Sequence, residues 1–130
     1  YTDARFNAAA ALARLGNPAS PAAVAEMFNV ESLASSLSGE KALTPEVTAE
    51  SLAAQKAFKR KMILSSALKS TNLLLATPAL PAESFVPLES ALEGFLGSLE
   101  ELQKTGPVPD ELVDEAERTL TRVKARAASK

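Results

Sequence analysis

The chain has 130 residues and a formal net charge of −2 at pH 7; 46% of its residues are hydrophobic and 5% are aromatic. This length fits one domain, residues 1–130, with a hydrophobic core of its own. The sequence contains no cysteine and no histidine, which excludes thiol nucleophiles, disulfides and Cys/His metal sites and removes the commonest general base. We therefore predict a protein that is not an enzyme and that carries no metal and no cofactor.

The composition predicts an all-α fold. Most of the hydrophobic residues are alanine and leucine, which are strong helix formers, whereas the β-branched and aromatic residues that favour strands are fewer. No run of about 18 apolar residues occurs, so no segment is expected to span a membrane.

The N-terminal segment, residues 1–40, is predicted to be helical but broken. A first helix ends at Gly16, which can adopt the left-handed conformation of a helix terminus. Ser20 followed by Pro21 is typical of the start of a second, shorter helix. Asn29 is a candidate restart point, since asparagine is a good N-cap residue.

A long helix is predicted to follow, in the sequence TPEVTAESLAAQKAFKRKMILSSALKSTNLLLATP. Thr44 is the expected N-cap and Pro45 the first helical residue. No further proline and no glycine occurs before Pro78, which allows a helix of up to about 32 residues.

Two more helices complete the predicted fold. In the first, apolar residues recur at steps of four, three, four and three: Leu88, Leu92, Phe95, Leu99 and Leu102. Pro109 opens the second, which repeats the spacing: Val113, Ala116, Leu120, Val123 and Ala127. Matching seams on two helices joined by a short loop indicate an antiparallel pair. With the long helix they form the three helices of residues 44–128. We predict an antiparallel four-helix bundle whose fourth wall is the broken N-terminal segment.

The stretch QKAFKRKMIL, residues 55–64, is the strongest candidate for a binding site. It contains four cations within six residues: Lys56, Lys59, Arg60 and Lys61. At 100° per residue Lys56, Lys59 and Arg60 fall within about 100° of one another, with Phe58 and Met62 roughly opposite. We predict that the basic face points outward and that Phe58 points into the core.

Two interpretations of this basic face stay open. The cations could be a solvated face that pairs within the protein with the acidic helix of residues 88–104. Alternatively they bind an acidic partner, in which case the partner-binding residues are Lys56, Lys59, Arg60 and Lys61. Nucleic acid is not the expected partner, because the domain is acidic overall and shows no DNA- or RNA-binding motif. Membrane-surface binding is also disfavoured, since the opposite face of the helix is needed for the core.

Two further patterns have a structural interpretation. Beyond Met62 the long helix is apolar on nearly every side, so either the segment PALPAESFVP covers it or an exposed patch meets another subunit. The acidic groups are expected to be solvated helix faces rather than catalytic pairs: Glu100 and Glu101, and Asp114, Glu115 and Glu117. A di-iron bundle would need Glu-x-x-His pairs, which a histidine-free chain cannot supply.

The helix order and lengths, and above all FLGSLEELQKTGPVPDELVDEAERTLTRVKARA at residues 95–127, resemble the PsbQ-like extrinsic proteins of photosystem II. The resemblance extends loosely back to about residue 47. It implies a protein of the chloroplast thylakoid lumen, peripheral to the membrane, that docks on membrane-intrinsic and other subunits of a larger complex. Such proteins help to retain calcium and chloride at the oxygen-evolving centre and are not enzymes.

The alternative is a helical protein-binding adaptor, or an accessory subunit of another organellar complex. A lumen-targeting signal upstream of Tyr1 would separate these two interpretations.

Overall fold

The computed structural model describes residues 2–38 and 48–129. Within these ranges every regular element is a helix and none is a strand, which confirms the all-α class. No helix of the described residues is both long enough and apolar enough to cross a membrane.

The N-terminal segment is broken as predicted. Helix α1 covers Thr2–Arg14, α2 covers Ser20–Ala25, a 3₁₀ turn covers Glu26–Phe28, and α3 covers Val30–Ser38. Gly16 follows α1 with a φ of 66°, a left-handed conformation that glycine adopts without steric cost. The chain can therefore reverse direction directly after α1.

Polar side chains define the breaks between these helices. The Asn17 side chain accepts a hydrogen bond from the backbone N–H of Ala19 at 2.8 Å, and the Asn17 backbone carbonyl accepts one from the Ser20 hydroxyl at 2.6 Å. The Asn29 side chain accepts from the backbone N–H of Ser32 at 3.0 Å. Asn29 thus caps α3, and the predicted restart at this residue is confirmed.

The long helix, α4, covers Ala49–Leu75 and is 27 residues long. Thr48 caps it, because its hydroxyl accepts a hydrogen bond from the backbone N–H of Ser51 at 3.1 Å. The predicted cap at Thr44 and the predicted first residue, Pro45, lie outside the described residues.

The C-terminal part begins with a 3₁₀ turn at Ala82–Phe85, followed by α5 at Val86–Gly97, α6 at Leu99–Gln103 and α7 at Asp110–Ala128. The sequence predicted one continuous helix where α5 and α6 lie, and that prediction is wrong. The break falls at Ser98, whose φ and ψ are −104° and 8°. Glycine and serine are weak helix formers, so Gly97 and Ser98 provide a site where the helix is easily interrupted.

The break does not interrupt the core seam. Leu88, Leu92, Phe95 and Leu102 are all buried, and Leu99 is partly buried against the same cluster. The rings of Phe28 and Phe95 lie 6.2 Å apart between centroids, which ties the N-terminal segment to α5. On α7, Ala116 and Val123 are fully buried.

Helix α4 packs between α1 and α7, and all three helices run in the same direction. In the first half of α4, Lys59 contacts Asp3 of α1 and Arg60 contacts Gly106, which precedes α7. Near its end, Leu75 contacts Arg126 of α7. The antiparallel pair predicted for the last two helices is present in α5 and α7, since Arg126 near the end of α7 lies over Phe85 just before α5. The neighbours α4 and α7, however, are parallel.

The segments α2–α3 and α5–α6 run the opposite way and contact each other. The carbonyl of Ser36, near the end of α3, accepts a hydrogen bond from Lys59 in the first half of α4. Leu102 of α6 likewise accepts one from Arg60. The N-terminal segment therefore contributes two layers, α1 and α2–α3, instead of the single wall predicted.

Candidate docking surface

The basic stretch on α4 is oriented opposite to the prediction. Arg60 is only 3% exposed, whereas Phe58 is 58% and Met62 55% exposed. Lys56 and Lys59 are half-buried and Lys61 is exposed. The prediction that the Lys56–Arg60 face points outward and Phe58 inward is therefore wrong.

The rest of α4 explains this orientation. Five buried residues recur along it at steps of four, three, four and three: Arg60, Leu64, Ala67, Thr71 and Leu74. Arg60 is the first residue of the buried seam, and its apolar stem can pack as a hydrophobic side chain would. A helical wheel that extends past Met62 shows this buried seam in the sequence. A wheel limited to residues 56–62 does not show it.

Arg60 binds the end of α6 and the loop that follows. One terminal nitrogen donates to the Leu102 carbonyl at 3.0 Å and to the Thr105 hydroxyl at 2.9 Å. The other donates to the carbonyls of Gly106 at 2.6 Å and Pro107 at 3.5 Å. A cation at these carbonyls complements the negative end of the α6 dipole. Burial lowers the pKa of Arg60, but a guanidinium stays charged at neutral pH.

Glycine at position 106 suits the close contact between α4 and the loop before α7. Its φ is 156°, and a Cβ atom at this position would lie 3.3 Å from the Ala57 Cβ and 3.4 Å from an Arg60 terminal nitrogen. Both the backbone conformation and the close approach of α4 therefore favour glycine.

Lys59 joins three helices. Its ammonium group donates to Asp3 of α1 at 2.8 Å and to the Ser36 carbonyl of α3 at 3.3 Å. Hydrogen bonds from Lys59 and from the Ser36 hydroxyl lower the pKa of Asp3. Lys59 and Arg60 were expected to pair with carboxylates of the acidic helix, residues 88–104. Lys59 instead pairs with Asp3, and Arg60 donates to backbone carbonyls and to a hydroxyl.

The side of α4 that faces away from the core carries exposed apolar residues. Phe58 and Met62 are more than half exposed, and Leu73 is 38% exposed. Lys61 and Lys69 lie exposed on the same side. We call these five residues the α4 ridge. Lys61 is thus the one predicted partner-binding residue on the ridge, and Arg60 is excluded by burial from such a role.

A groove lies on each side of the ridge. The groove toward α7 has a volume of about 680 Å³ and is lined by Lys61, Lys69 and Leu73 of the ridge together with residues of α7. The groove toward α1 has a volume of about 300 Å³ and is lined by Met62, Lys69 and Leu73 as well as Arg14 of α1. The four cations of the two grooves, Arg14, Lys61, Lys69 and Arg122, outnumber the acids Glu111 and Glu115.

A polar cluster fixes α7 against α4 beside the ridge. The Asn72 amide donates to Glu115 at 3.4 Å and to the Thr119 hydroxyl at 3.3 Å. Its oxygen accepts from Arg122 at 2.8 Å. These bonds hold the walls of the larger groove in register.

Arg126 secures the far end of α4. It donates to the carbonyls of Leu75 at 3.1 Å, Thr77 at 3.0 Å and Leu80 at 2.8 Å, and its guanidinium carbon lies 4.7 Å from the centre of the Phe85 ring. The segment between α4 and α5 therefore covers the apolar end of α4. Leu73, however, stays 38% exposed, so this apolar end of α4 is covered only in part.

The acidic groups lie on helix surfaces. Glu100, Glu101 and Glu117 are exposed. Glu101 pairs with Lys104 at 2.9 Å, and Glu115 pairs with Arg118 at 2.8 Å. Among the described residues no group of three or more His, Cys, Asp or Glu side chains could hold a metal ion.

Comparison with protein families, with curated proteins and with solved structures found no match to this chain. The functional argument therefore rests on the α4 ridge and its surroundings.

Proposed function

We propose that the chain is a non-catalytic accessory subunit that docks through the α4 ridge onto an acidic surface of a larger complex. The observation that carries this proposal is that Phe58 and Met62, which lie one turn apart, stay more than half exposed on the longest helix. Lys61 lies between them in the sequence and Lys69 two turns beyond.

Both parts of the ridge suit a protein partner. Phenylalanine and methionine are enriched in the cores of protein interfaces, and an exposed cluster of large apolar side chains marks an interaction site. Lysines around such a cluster attract an acidic surface and chiefly raise the rate of association. Because Lys59 and Arg60 already bind within the fold, the docking role predicted for the basic stretch belongs to Lys61 and Lys69.

The fold that presents the ridge is, in this proposal, a four-helix bundle. Its four walls are α2–α3, α4, α5–α6 and α7, and α1 packs outside against α4 and α2. The contacts between neighbouring walls support this arrangement. The ridge then lies on the outer side of α4, between α1 and α7.

The complex that we propose is photosystem II. The support is the resemblance of residues 95–127, and of the helix order, to PsbQ-like extrinsic proteins. On this proposal the chain works in the chloroplast thylakoid lumen, peripheral to the membrane, and contacts membrane-intrinsic and other subunits.

Rebinding tests this function. Photosystem II membranes washed free of extrinsic proteins are mixed with the purified chain, and bound protein is measured by sedimentation at several salt concentrations. The chain should bind, and Phe58→Ser/Met62→Ser should bind much more weakly. The matched control is Val86→Ser, which changes a side chain that is 51% exposed and lies away from the ridge.

Two results would contradict different parts of the proposal. If the chain does not bind these membranes, the assignment to photosystem II is wrong. If the ridge variant binds as well as the Val86→Ser control while both keep their helical circular dichroism, the ridge is not the docking surface.

A further inference from the structure

A second groove lies on other helices, between the segment α2–α3 and α5. Its volume is about 500 Å³, and the buried residues Phe28 and Phe95 lie at its base. Most of the other lining residues are small: Ala22, Ala25, Ser90, Ala91, Gly94 and Ser98. Two acids, Glu26 and Glu31, also line it, and none of the described lining residues is a cation. We call it the α2–α5 groove.

The lengths of the α4 ridge and the α2–α5 groove are compatible. A Cβ atom added to Gly94 would meet no atom within 4 Å, so the α5 side of the groove is open at this position. Along α5 it runs from Ser90 to Ser98, which is about 12 Å at 1.5 Å per residue. Phe58 and Met62 lie about 6 Å apart along α4 by the same measure, so both fit within this length.

The charges of the two surfaces are complementary as well. The ridge carries Lys61 and Lys69, and the groove carries Glu31 and also Glu26, whose carboxylate pairs with Arg5 of α1 at 3.3 Å. A contact between two ridges would place lysines against lysines, and a contact between two grooves would place glutamates against glutamates. Like charges across an interface are unfavourable, so only the contact of a ridge with a groove combines apolar and electrostatic complementarity.

We infer that the α4 ridge of one molecule docks in the α2–α5 groove of a second copy of the chain, head to tail. The two surfaces share no residue, so a molecule that is bound through its ridge still offers its groove. Contacts of this kind can continue from copy to copy instead of closing into a symmetric dimer. This contact does not depend on the proposed function, although it uses the same ridge.

Disulfide trapping tests the geometry, because the natural chain contains no cysteine. Met62→Cys and Gly94→Cys are prepared as separate proteins and mixed under mild oxidation. Cross-linked dimers should form faster in the mixture than in either protein alone. The collision control replaces Gly94→Cys with Leu15→Cys, because Leu15 is 81% exposed and lies outside both surfaces.

Charge reversal tests the same contact without cysteines. Sedimentation velocity over a concentration series should show the mass of the natural chain rising with concentration and falling again with added salt. Lys61→Glu/Lys69→Glu alone and Glu26→Lys/Glu31→Lys alone should each lose this rise. An equal mixture of the two variants should recover it, since the acidic ridge of one then meets the basic groove of the other.

Several results would overturn the inference. It is wrong if the natural chain stays monomeric at every concentration, or if the charge variants associate alone as well as they do when mixed. It is also wrong if Met62→Cys cross-links to itself as fast as to Gly94→Cys, because that result indicates a contact between ridges. Rebinding to photosystem II membranes is a separate measurement, so either proposal can fail while the other stands.

Discussion

Arg60 is a buried cation that donates four hydrogen bonds to the end of α6 and the loop after it. Its acceptors lie 42 to 47 residues away in the sequence. The sequence places Arg60 in a group of cations with Lys59 and Lys61, which predicts a surface charge. The acceptors that allow its burial come together only in the folded chain.

Arg60→Gln should strongly destabilise the protein. The shorter, neutral side chain cannot reach the loop, so the partly buried Gly106 carbonyl loses its donor, and the Leu102 carbonyl keeps only the Thr105 amide and hydroxyl. Losing the charged hydrogen bonds of Arg60 costs about 2–4 kcal/mol in total. Urea denaturation measures the change. The control is Lys61→Gln, the neighbouring exposed cation, which should change the free energy of unfolding by less than about 0.5 kcal/mol. Equal effects of the two variants would contradict the assigned role of Arg60.

Two glycines should respond to alanine with opposite signs. Gly106→Ala forces a methyl group against Ala57 and Arg60 at a φ of 156°, and it should cost about 1–3 kcal/mol. Gly94→Ala places a methyl group in open space within α5, and it should stabilise the protein by about 0.5–1 kcal/mol. Thermal unfolding of both variants checks the signs. Stabilisation by Gly106→Ala would mean that α4 does not approach the loop as described.

At the scale of the elements, single glycine, proline and capping residues predicted where helices end. They did so better than apolar periodicity predicted which side of a helix is buried. The end of α1 two residues before Gly16, the cap at Asn29 and the start of α7 after Pro109 were all indicated by single residues with specific backbone roles. The face of α4 was assigned from a window that ended at Met62, which left out most of the buried seam. The break at Ser98 was missed because the apolar spacing continues across it.

Arg126 links α7 to the C-terminal end of α4, where the last carbonyls of a helix have no intrahelical partner. Arg126→Gln should open this end locally. Amide hydrogen exchange of Thr77 and Leu80 should then accelerate by about tenfold for each ~1.4 kcal/mol of local stability lost. Exchange of Thr105, at the other end of the molecule, should change little.

The control for this prediction is Arg122→Gln. Arg122 lies one turn earlier on α7 and donates to Asn72 rather than to the segment after α4. If Arg122→Gln accelerates exchange at Thr77 and Leu80 as much as Arg126→Gln does, the loss of a cation from α7 is the cause and the hydrogen bonds of Arg126 are not.

At the scale of the whole molecule, the all-α class followed from composition, but not all of the helix directions did. Pairing of the basic face of α4 with the acidic helix of residues 88–104 favoured antiparallel neighbours. The structure instead places α1, α4 and α7 parallel, and Glu93 of the acidic helix lies 4.0 Å from Lys124 of α7. Surface pairs contribute about 0–1 kcal/mol each, too little to determine a topology that burial of the phenylalanine rings can decide.

Asp3, near the N-terminal end of α1, contacts α3 and α4. This contact should make the stability of the protein depend on pH. Asp3 binds Lys59 of α4 and Ser36 of α3, and these hydrogen bonds lower its pKa in the folded protein. A depressed pKa means that the folded state favours the carboxylate. The stabilisation is therefore fully present above the unfolded-state pKa, about 3.9 for aspartate, and is lost as the pH falls through the lower folded-state value.

The natural chain should accordingly be more stable than Asp3→Asn at pH 7, and the difference should shrink as the pH falls below about 4. Chemical denaturation at a series of pH values measures it. A double-mutant cycle with Lys59→Gln isolates the pair, because the coupling between the two positions should be favourable at pH 7 and should fade in the same acidic range. Asp3 is partly exposed, so the coupling should also weaken as salt is added. A coupling that is unchanged between pH 7 and pH 2 would show that the charged Asp3 carboxylate does not hold α1 against α4, because protonation removes the negative charge that pairs with Lys59.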